Sequence, residues 1–188
     1  MWLLVVGVLA FSGLHLVKGV SPSTRNNIAR KIGENPFKGL FSLTLVLSIV
    51  AMVFGWQATE PQLLYEAPTW AHPVTSLLVL ITFVFFAASH GKSNIKRFVR
   101  HPMLSGVVLW AIGHLLINGD DRSLVLFGGL GIWAILEIVI VSKRDGPYTP
   151  PKAVPLKREI IPIIAGIVVY VVFILLHPML FGVSPLPS

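Results

Sequence analysis

Hydrophobic residues in this chain fall into six long blocks, and the short segments between the blocks carry nearly all of the charged residues. A helix needs about 20 apolar residues to cross the hydrocarbon core of a bilayer, and most of the blocks approach that length. The fourth block is the shortest. The pattern predicts an all-α, polytopic integral membrane bundle of about six transmembrane helices, at Met1–Val20, Gly39–Trp56, Pro73–His90, Met103–Ile117, Leu124–Val141 and Ile160–Leu180.

Composition supports a membrane protein and removes several kinds of chemistry. The chain has 188 residues, of which 54% are hydrophobic and only eight are acidic, whereas a soluble domain of this size needs a more charged surface. It has no cysteine, which excludes disulfides, thiolate metal ligands and cysteine nucleophiles. The first block lacks a preceding basic residue and an obvious cleavage site, so we expect a retained span. The short connections predict one domain.

Lysine and arginine set the predicted orientation. Connections two and four contain one basic residue, Arg122, whereas connections one, three and five are basic. Because cytoplasmic loops are enriched in lysine and arginine, we expect both termini on the outer, periplasmic side of a bacterial inner membrane. The net charge of +7 then sets topology, and the expected partner is the lipid bilayer and not nucleic acid. The basic residues are Lys18, Arg25, Arg30, Lys31 and Lys38, then Lys92, Lys96, Arg97 and Arg100, then Lys143, Arg144, Lys152, Lys157 and Arg158.

Four short motifs predict the local structure of the connections. Ser21–Thr24, with the sequence Ser-Pro-Ser-Thr, is expected to begin a short interfacial helix. Gly33–Pro36 breaks that helix before the second span, and Asp145–Pro151 predicts an irregular, proline-rich turn. Pro162 is expected in the first turn of the sixth span, where a missing N–H costs little.

Five histidines lie in or beside the predicted spans, at different depths. His15 lies near the predicted cytoplasmic face, whereas His114 follows His101 by thirteen residues, about 20 Å of helix, and lies towards the outer side. Ionisable groups within a membrane are costly and are functional candidates by default. For His15 and His114 the alternative role is a hydrogen bond between helices. The remaining histidines of this set are His90, on the cytoplasmic side, and His177, on the outer side.

Glycines near His114 allow two interpretations. Small residues let helices approach closely, which is their common role in membranes. They also leave room for a flat cofactor beside an imidazole, and depth alone does not separate the two roles. The glycines are Gly106 and Gly113 in the fourth span, and Gly128, Gly129 and Gly131 in the fifth, across a turn at Asn118–Asp121.

Two intramembrane histidines in a chain without cysteine are compatible with six-coordinate haem ligation. An alternative is a zinc or iron site, which needs a third protein ligand. That site would combine His15 with His90, His101 or Glu137 and would leave His114 out.

Two stretches resemble signatures of the NnrU family, whose relatives include the plant and cyanobacterial 15-cis-zeta-carotene isomerase. One stretch is Arg100–Asp120, where Arg-His-Pro precedes Gly106, Trp110, His114 and Gly119 at matching intervals. The other is Lys31–Leu43, which follows the pattern Ile-Gly-Glu-x-x-aromatic-basic-x-x-Phe, and His15 supplies the first-span histidine. The resemblance implies a single NnrU-like transmembrane domain over residues 1–188.

The resemblance implies a haem b protein. In the isomerase, haem b is held by one histidine of the first span and one of a Trp-x-x-x-His element, which correspond by position to His15 and His114. The isomerase also has a cysteine, tied to a redox change of haem ligation, where this chain has Ala111. Arg100 and Arg97 are expected to be available to the haem propionates near the cytoplasmic face.

We therefore expect an inner-membrane haem b protein with redox- or isomerase-type chemistry on a small or lipophilic substrate. The family's name links it to nitrogen-oxide metabolism, including denitrification. One alternative is a non-catalytic accessory or assembly protein for a respiratory nitrogen-oxide reductase. Another is a membrane methyltransferase, because isoprenylcysteine-type enzymes also place Arg-His-Pro-x-x-x-Gly beside S-adenosylmethionine. The paired glutamates and tyrosine-rich helix of those enzymes are reduced here to Glu137 and Tyr148.

Overall fold

The computed structural model describes residues 1–185, apart from the side chains of Lys18 and Pro22. Within that range every extended regular element is a helix, and strand pairing is limited to an isolated bridge between Leu63 and Asp120. The helices are α1 (Trp2–Val20), α2 (Pro22–Ile32), α3 (Glu34–Gln57), α4 (Ala71–Ser89), α5 (Ile95–Phe98), α6 (Pro102–Ile117), α7 (Asp121–Ser123), α8 (Gly129–Asp145) and α9 (Leu156–Phe181), with a π-helical segment, Leu124–Gly128, between α7 and α8.

Four of the described helical segments are long and apolar enough to cross a membrane: α3, α4, Asp121–Asp145 and α9. Two further apolar helices, Trp2–Val17 and α6, are shorter. The prediction of an all-α membrane protein is therefore confirmed. The count of six spans and the side on which the termini lie stay predictions, because helix length alone does not decide whether α1 and α6 cross.

The connections largely follow the sequence motifs. Ser21 caps α2, because its hydroxyl accepts a hydrogen bond from the Thr24 amide at 3.4 Å. Gly33 then adopts a φ of +92°, which glycine tolerates and other residues rarely do, and the chain leaves α2 to start α3. The segment after α8 contains no helix until α9 begins. The predicted short helix, break and irregular turn are confirmed, and the interfacial position of the helix stays a prediction.

One local prediction is wrong. Helix α9 begins at Leu156, earlier than the apolar block that starts at Ile160, so Pro162 lies inside the helix and not in its first turn. Hydrophobicity did not mark the true start because the first turn is polar and includes Glu159. Pro162 removes one backbone hydrogen bond from the ladder at that point.

The chain divides into two compact units, each described by itself. The first comprises residues 1–65 and 119–146 and contains α1, α2, α3 and α8. A Cβ on Gly55 would overlap the backbone of Leu4, and Gly7 lies against Met52, so α1 and α3 are antiparallel and in close contact. Gly129 lies against Val8. The resulting core includes Leu4, Val8 and Met52.

One end of the first unit is closed by polar contacts. The N-terminal ammonium of Met1 donates to the hydroxyl of Thr59. The Leu64 amide donates to the Gly119 carbonyl at 2.7 Å. The Arg122 guanidinium donates to the Thr59 carbonyl at 3.1 Å and lies 4.4 Å from the ring centroid of Trp56. The start of α1, the end of α3 and the start of α7 therefore meet at the same end.

The second unit comprises residues 66–118 and 147–188, of which 66–118 and 147–185 are described. Two buried threonines of α4 bond to carbonyls of α6: Thr75 donates to Gly113 at 2.8 Å and Thr82 to Gly106 at 3.0 Å. The order of these pairs makes the two helices antiparallel. Gly166 of α9 lies against the backbone of Val84 in α4, which brings α9 onto the same helix.

Candidate functional site

His15 lies in α1 within the first unit, and its ring is oriented by its own helix. Its Nδ1 is 2.9 Å from the Phe11 carbonyl oxygen. A carbonyl oxygen only accepts hydrogen bonds, so in the neutral ring Nδ1 carries the proton and Nε2 carries the lone pair. The ring is half-buried among aromatic neighbours, with centroids at 4.6 Å for Phe11, 5.0 Å for Trp133 and 6.0 Å for Phe41.

Two polar atoms of α1 and α8, the helices that carry His15 and Trp133, are buried without a hydrogen-bond partner among the described residues: Ser12 Oγ and Trp133 Nε1. Their residues are only 9% and 7% exposed. Ser12 lies on the face of α1 that meets α8, between Val8, which packs on Gly129, and Gly19, which faces Glu137. An unsatisfied buried group costs about 1–3 kcal/mol. Such groups are normally satisfied by ordered water or a ligand.

His114 lies in α6 within the second unit and repeats the ring geometry of His15. Its Nδ1 is 2.8 Å from the carbonyl oxygen of Trp110, one helical turn earlier. The Trp110 ring lies beside it, with 5.0 Å between the ring centroids. The same reasoning assigns the Nδ1 proton to this bond and the lone pair to Nε2.

The hydrogen bonds of the two Nδ1 atoms show whether the histidines use that nitrogen to join two helices. That alternative was a hydrogen bond between helices, yet both Nδ1 atoms bond to the carbonyl four residues earlier in their own helix. Metal-ligating histidines characteristically donate the second ring N–H to a carbonyl or carboxylate, which fixes the tautomer. Both rings meet this condition for ligation through Nε2.

The predicted arginine sites lie in the second unit, before α6. Arg97 is exposed in α5, and Arg100 is half-buried with its guanidinium carbon 5.3 Å from the ring centroid of Tyr148. At 1.5 Å of rise per residue, the twelve steps from Pro102 to His114 span about 18 Å. Arg100 and His114 therefore lie towards opposite ends of α6.

Three of the glycines noted in the sequence, Gly106, Gly113 and Gly129, lie in tight contacts with neighbouring helices. A Cβ on Gly106 would lie 2.8 Å from the Phe86 ring, and one on Gly113 would lie 3.3 Å from a methyl group of Thr75. In the first unit, a Cβ on Gly129 would lie 2.6 Å from Val8. At these positions glycine permits close helix packing.

The alternative zinc or iron site is not supported. Within the described part of the chain, no three histidine, aspartate or glutamate side chains lie together in a way that could hold a metal ion. Haem ligation has a different requirement, because the porphyrin supplies four nitrogen ligands and the protein supplies one or two axial ones. Each imidazole, taken by itself, has the tautomer that an axial ligand needs.

Sequence reasoning missed Ser12 and Trp133. Ser12 was a weak signal, because serine is common inside membrane helices and usually bonds to its own backbone. Trp133 is also far from the predicted interfaces, where tryptophan is usually found. That position was the available clue that its indole N–H has another role.

Comparison with known proteins gives a family and little else. Searches of curated proteins and of solved structures find no match. A family model described as NnrU protein matches residues 3–185, nearly the whole chain. With its apolar helices and its match over almost its full length, the chain belongs to the NnrU protein family.

Proposed function

We propose that this NnrU-family chain is a six-span protein of the bacterial inner membrane that binds haem b. Both termini lie on the periplasmic side, and His15 and His114 are the proposed axial ligands. The haem serves redox- or isomerase-type chemistry on a small or lipophilic substrate, in connection with nitrogen-oxide metabolism. The proposal is motivated by family membership and by the two intramembrane histidines.

The observation that carries the proposal is the orientation of the imidazoles. In each ring Nδ1 is held by a carbonyl of the preceding helical turn, at 2.9 Å for His15 and 2.8 Å for His114. This bond fixes the tautomer in which Nε2 has the lone pair, and it raises the basicity of the ligand. It also restricts rotation of the ring before any ligand arrives.

Bound haem supplies a redox-active iron, and the protein supplies orientation and a dry environment. Phe11, Phe41 and Trp133 surround the His15 ring with apolar surface. Low polarity around a haem ligand excludes water and shifts the reduction potential. Ser12 and Trp133 provide polar atoms for a small molecule at this otherwise apolar location.

Contact between the two arginines and the haem propionates depends on where the haem lies along α6. Arg100 precedes α6, whose first residue, Pro102, lies about 18 Å from His114 along the helix. Arg97 and Arg100 would therefore contact the propionates only if these groups extend from the haem towards the cytoplasmic end of α6. An Arg100→Gln variant with unchanged haem content and reduction potential would assign Arg100 to lipid phosphate instead.

A difference spectrum tests the proposal. We expect protein expressed with ample haem and purified in detergent to show haem b bands in its reduced-minus-oxidised spectrum. His114→Ala and His15→Ala should each lower the haem content per protein at least about tenfold, while the protein still inserts in the membrane. His177→Ala is the matched control, because His177 also bonds through Nδ1 to a carbonyl, that of Val183, but is not a proposed ligand.

The contradicting result is also specific. A wild-type protein without haem bands, or variants of His15 and His114 that retain haem as His177→Ala does, would overturn the ligand assignment. Co-purification of a nitrogen-oxide reductase with a protein that has a featureless visible spectrum would favour the accessory role.

A further inference from the structure

A basic cavity of about 540 Å³ lies in the second unit. It is formed between the segment that follows α4 and begins α5, residues 91–96, and the segment that leads into and begins α9, residues 151–158. Four cationic residues line it: Lys92 and Lys96 from the first segment, and Lys152 and Arg158 from the second. Pro151 and Val154 add apolar surface. We call this cavity the basic pocket.

The charge of the basic pocket is not neutralised by the protein. No acidic residue lines it among the residues that the structure describes. The ion pairs found in the described chain use Arg25, Lys38, Arg122 and Arg144 and none of the four pocket cations. Lys96 donates to the Ser89 carbonyl at 2.7 Å, which leaves two of its three ammonium hydrogens for other partners. The basic pocket therefore concentrates positive charge in a concave site.

The acidic residue nearest in sequence, Glu159, holds the walls together instead. Its two oxygens accept hydrogen bonds from the Ser93 hydroxyl and the Asn94 amide, both at 2.6 Å. The Asn94 side chain in turn bonds the carbonyl and the amide of Val154, both at 2.9 Å. Glu159 is buried, 7% exposed. The two walls are thus fixed to each other before a ligand binds.

The enrichment of lysine and arginine in cytoplasmic loops explains why each loop is basic, but it does not explain why cations of two loops line the basic pocket. Topology requires only that the charges lie near the ends of spans. It does not require that two separate loops direct their cations to one cavity, or that the adjacent carboxylate is used in hydrogen bonds between those loops.

We propose that the basic pocket binds a phosphate group of an anionic ligand. Clustered lysine and arginine with a fixed wall suit a phosphate, whose oxygens accept several charge-assisted hydrogen bonds. The pocket lies at the end of apolar helices, where anionic phospholipid headgroups are abundant, and basic sites of this kind bind such headgroups. Soluble phosphate esters share the same chemistry, and the experiment separates the two sources. The proposal does not depend on haem.

The experiment measures binding of fluorescent phosphatidylglycerol to the full-length protein in neutral detergent micelles. Fluorescent phosphatidylcholine gives the baseline. The test variant combines Lys92→Gln, Lys152→Gln and Arg158→Gln. Each basic residue near an anionic surface contributes about a factor of five in affinity, so three should cost about a hundredfold. Glycerol 1-phosphate is the soluble competitor.

Two further variants separate a pocket from general charge. Arg30→Gln, Lys31→Gln and Lys143→Gln together remove the same charge from exposed positions outside the pocket, and we expect a change of about twofold or less. Asn94→Ala removes no charge but breaks the two side-chain bonds to Val154 and leaves those to Glu159. The two walls are then held less firmly, and we expect affinity to fall about fivefold or more.

The outcomes are decisive in both directions. Loss confined to the pocket variants without competition by millimolar glycerol 1-phosphate identifies a lipid headgroup, and full competition identifies a soluble phosphate ester. Equal losses in the two triple variants, or unchanged affinity in Asn94→Ala, would overturn the proposal.

Discussion

At the scale of single residues, Glu159 shows how a membrane protein uses a buried carboxylate in a structural role and not in catalysis. Its oxygens bond Ser93 and Asn94, so the charge is stabilised by donors at the end of the bundle. A buried charge is tolerated when such partners are present and is costly when they are removed.

Glu159→Ala tests this role. The substitution leaves the Ser93 hydroxyl and the Asn94 amide without an acceptor, and hydrogen bonds to charged groups contribute about 1.5–3 kcal/mol each. We expect the free energy of unfolding in mixed micelles to fall by about 3 kcal/mol, and Glu159→Gln, which keeps one acceptor oxygen, to lose less. Glu60→Ala, at an exposed site, should change it by no more than about 0.5 kcal/mol. Equal effects at positions 159 and 60 would refute the role.

The histidines show what sequence can reveal at this scale. An ionisable residue in an apolar block is conspicuous, so His15 and His114 could be selected from the sequence. Their tautomers could not, because these depend on which atom faces the carbonyl one turn earlier. Ser12 and Trp133 were missed for a related reason: residue type does not say which buried polar atoms lack a partner.

At the scale of helices, apolar blocks located the elements but not their ends. Helix α3 starts at Glu34 and α9 at Leu156, each several residues before its apolar block. Backbone geometry set these starts, at a glycine with positive φ and at a proline. Hydrophobicity reports contact with lipid or core, and a helix continues beyond that contact until a residue stops it.

Two glycines in α3, one in close contact with α1 and one in open space, allow a matched test of helix packing. A Cβ on Gly55 would lie 2.7 Å from Leu4 Cα, whereas one on Gly39 would meet nothing within 4 Å. Gly55→Ala should therefore destabilise the protein by about 1–3 kcal/mol, because α1 and α3 must separate. Gly39→Ala should stabilise it by about 0.5–1 kcal/mol through helix propensity. Thermal unfolding in detergent measures both, and a stable Gly55→Ala protein would contradict the close α1–α3 contact.

At the scale of the whole molecule, helix directions restrict how often the chain crosses the membrane. In the first unit α1 and α8 run the same way, because Val8 packs on Gly129 and Gly19 faces Glu137. If both helices span the membrane, the chain must cross it an odd number of times between them. If α3 supplies one of these crossings, α4 and α6 must either both cross or both stay on one side, although α6 has only 16 residues.

Single cysteines test this count, since the chain has none of its own. A membrane-impermeant maleimide added to intact spheroplasts should label Glu66→Cys and leave Gly91→Cys and Lys143→Cys unlabelled until the membrane is opened. If α4 crosses and α6 does not, Lys143→Cys will be labelled from outside. Labelling of Gly91→Cys would show that α4 does not cross in the predicted direction.

The contacts of Arg122 have an electrostatic consequence. The partial charges of a helix leave roughly half a negative charge at its C-terminal end, which a nearby cation stabilises. Helix α3 has no basic residue in its last turn. Arg122 donates to the carbonyls of Trp56 and Thr59, so the cation arrives from a distant part of the chain. The one basic residue in the two predicted outer connections thus stabilises the C-terminal end of α3, and its position contributes to the fold.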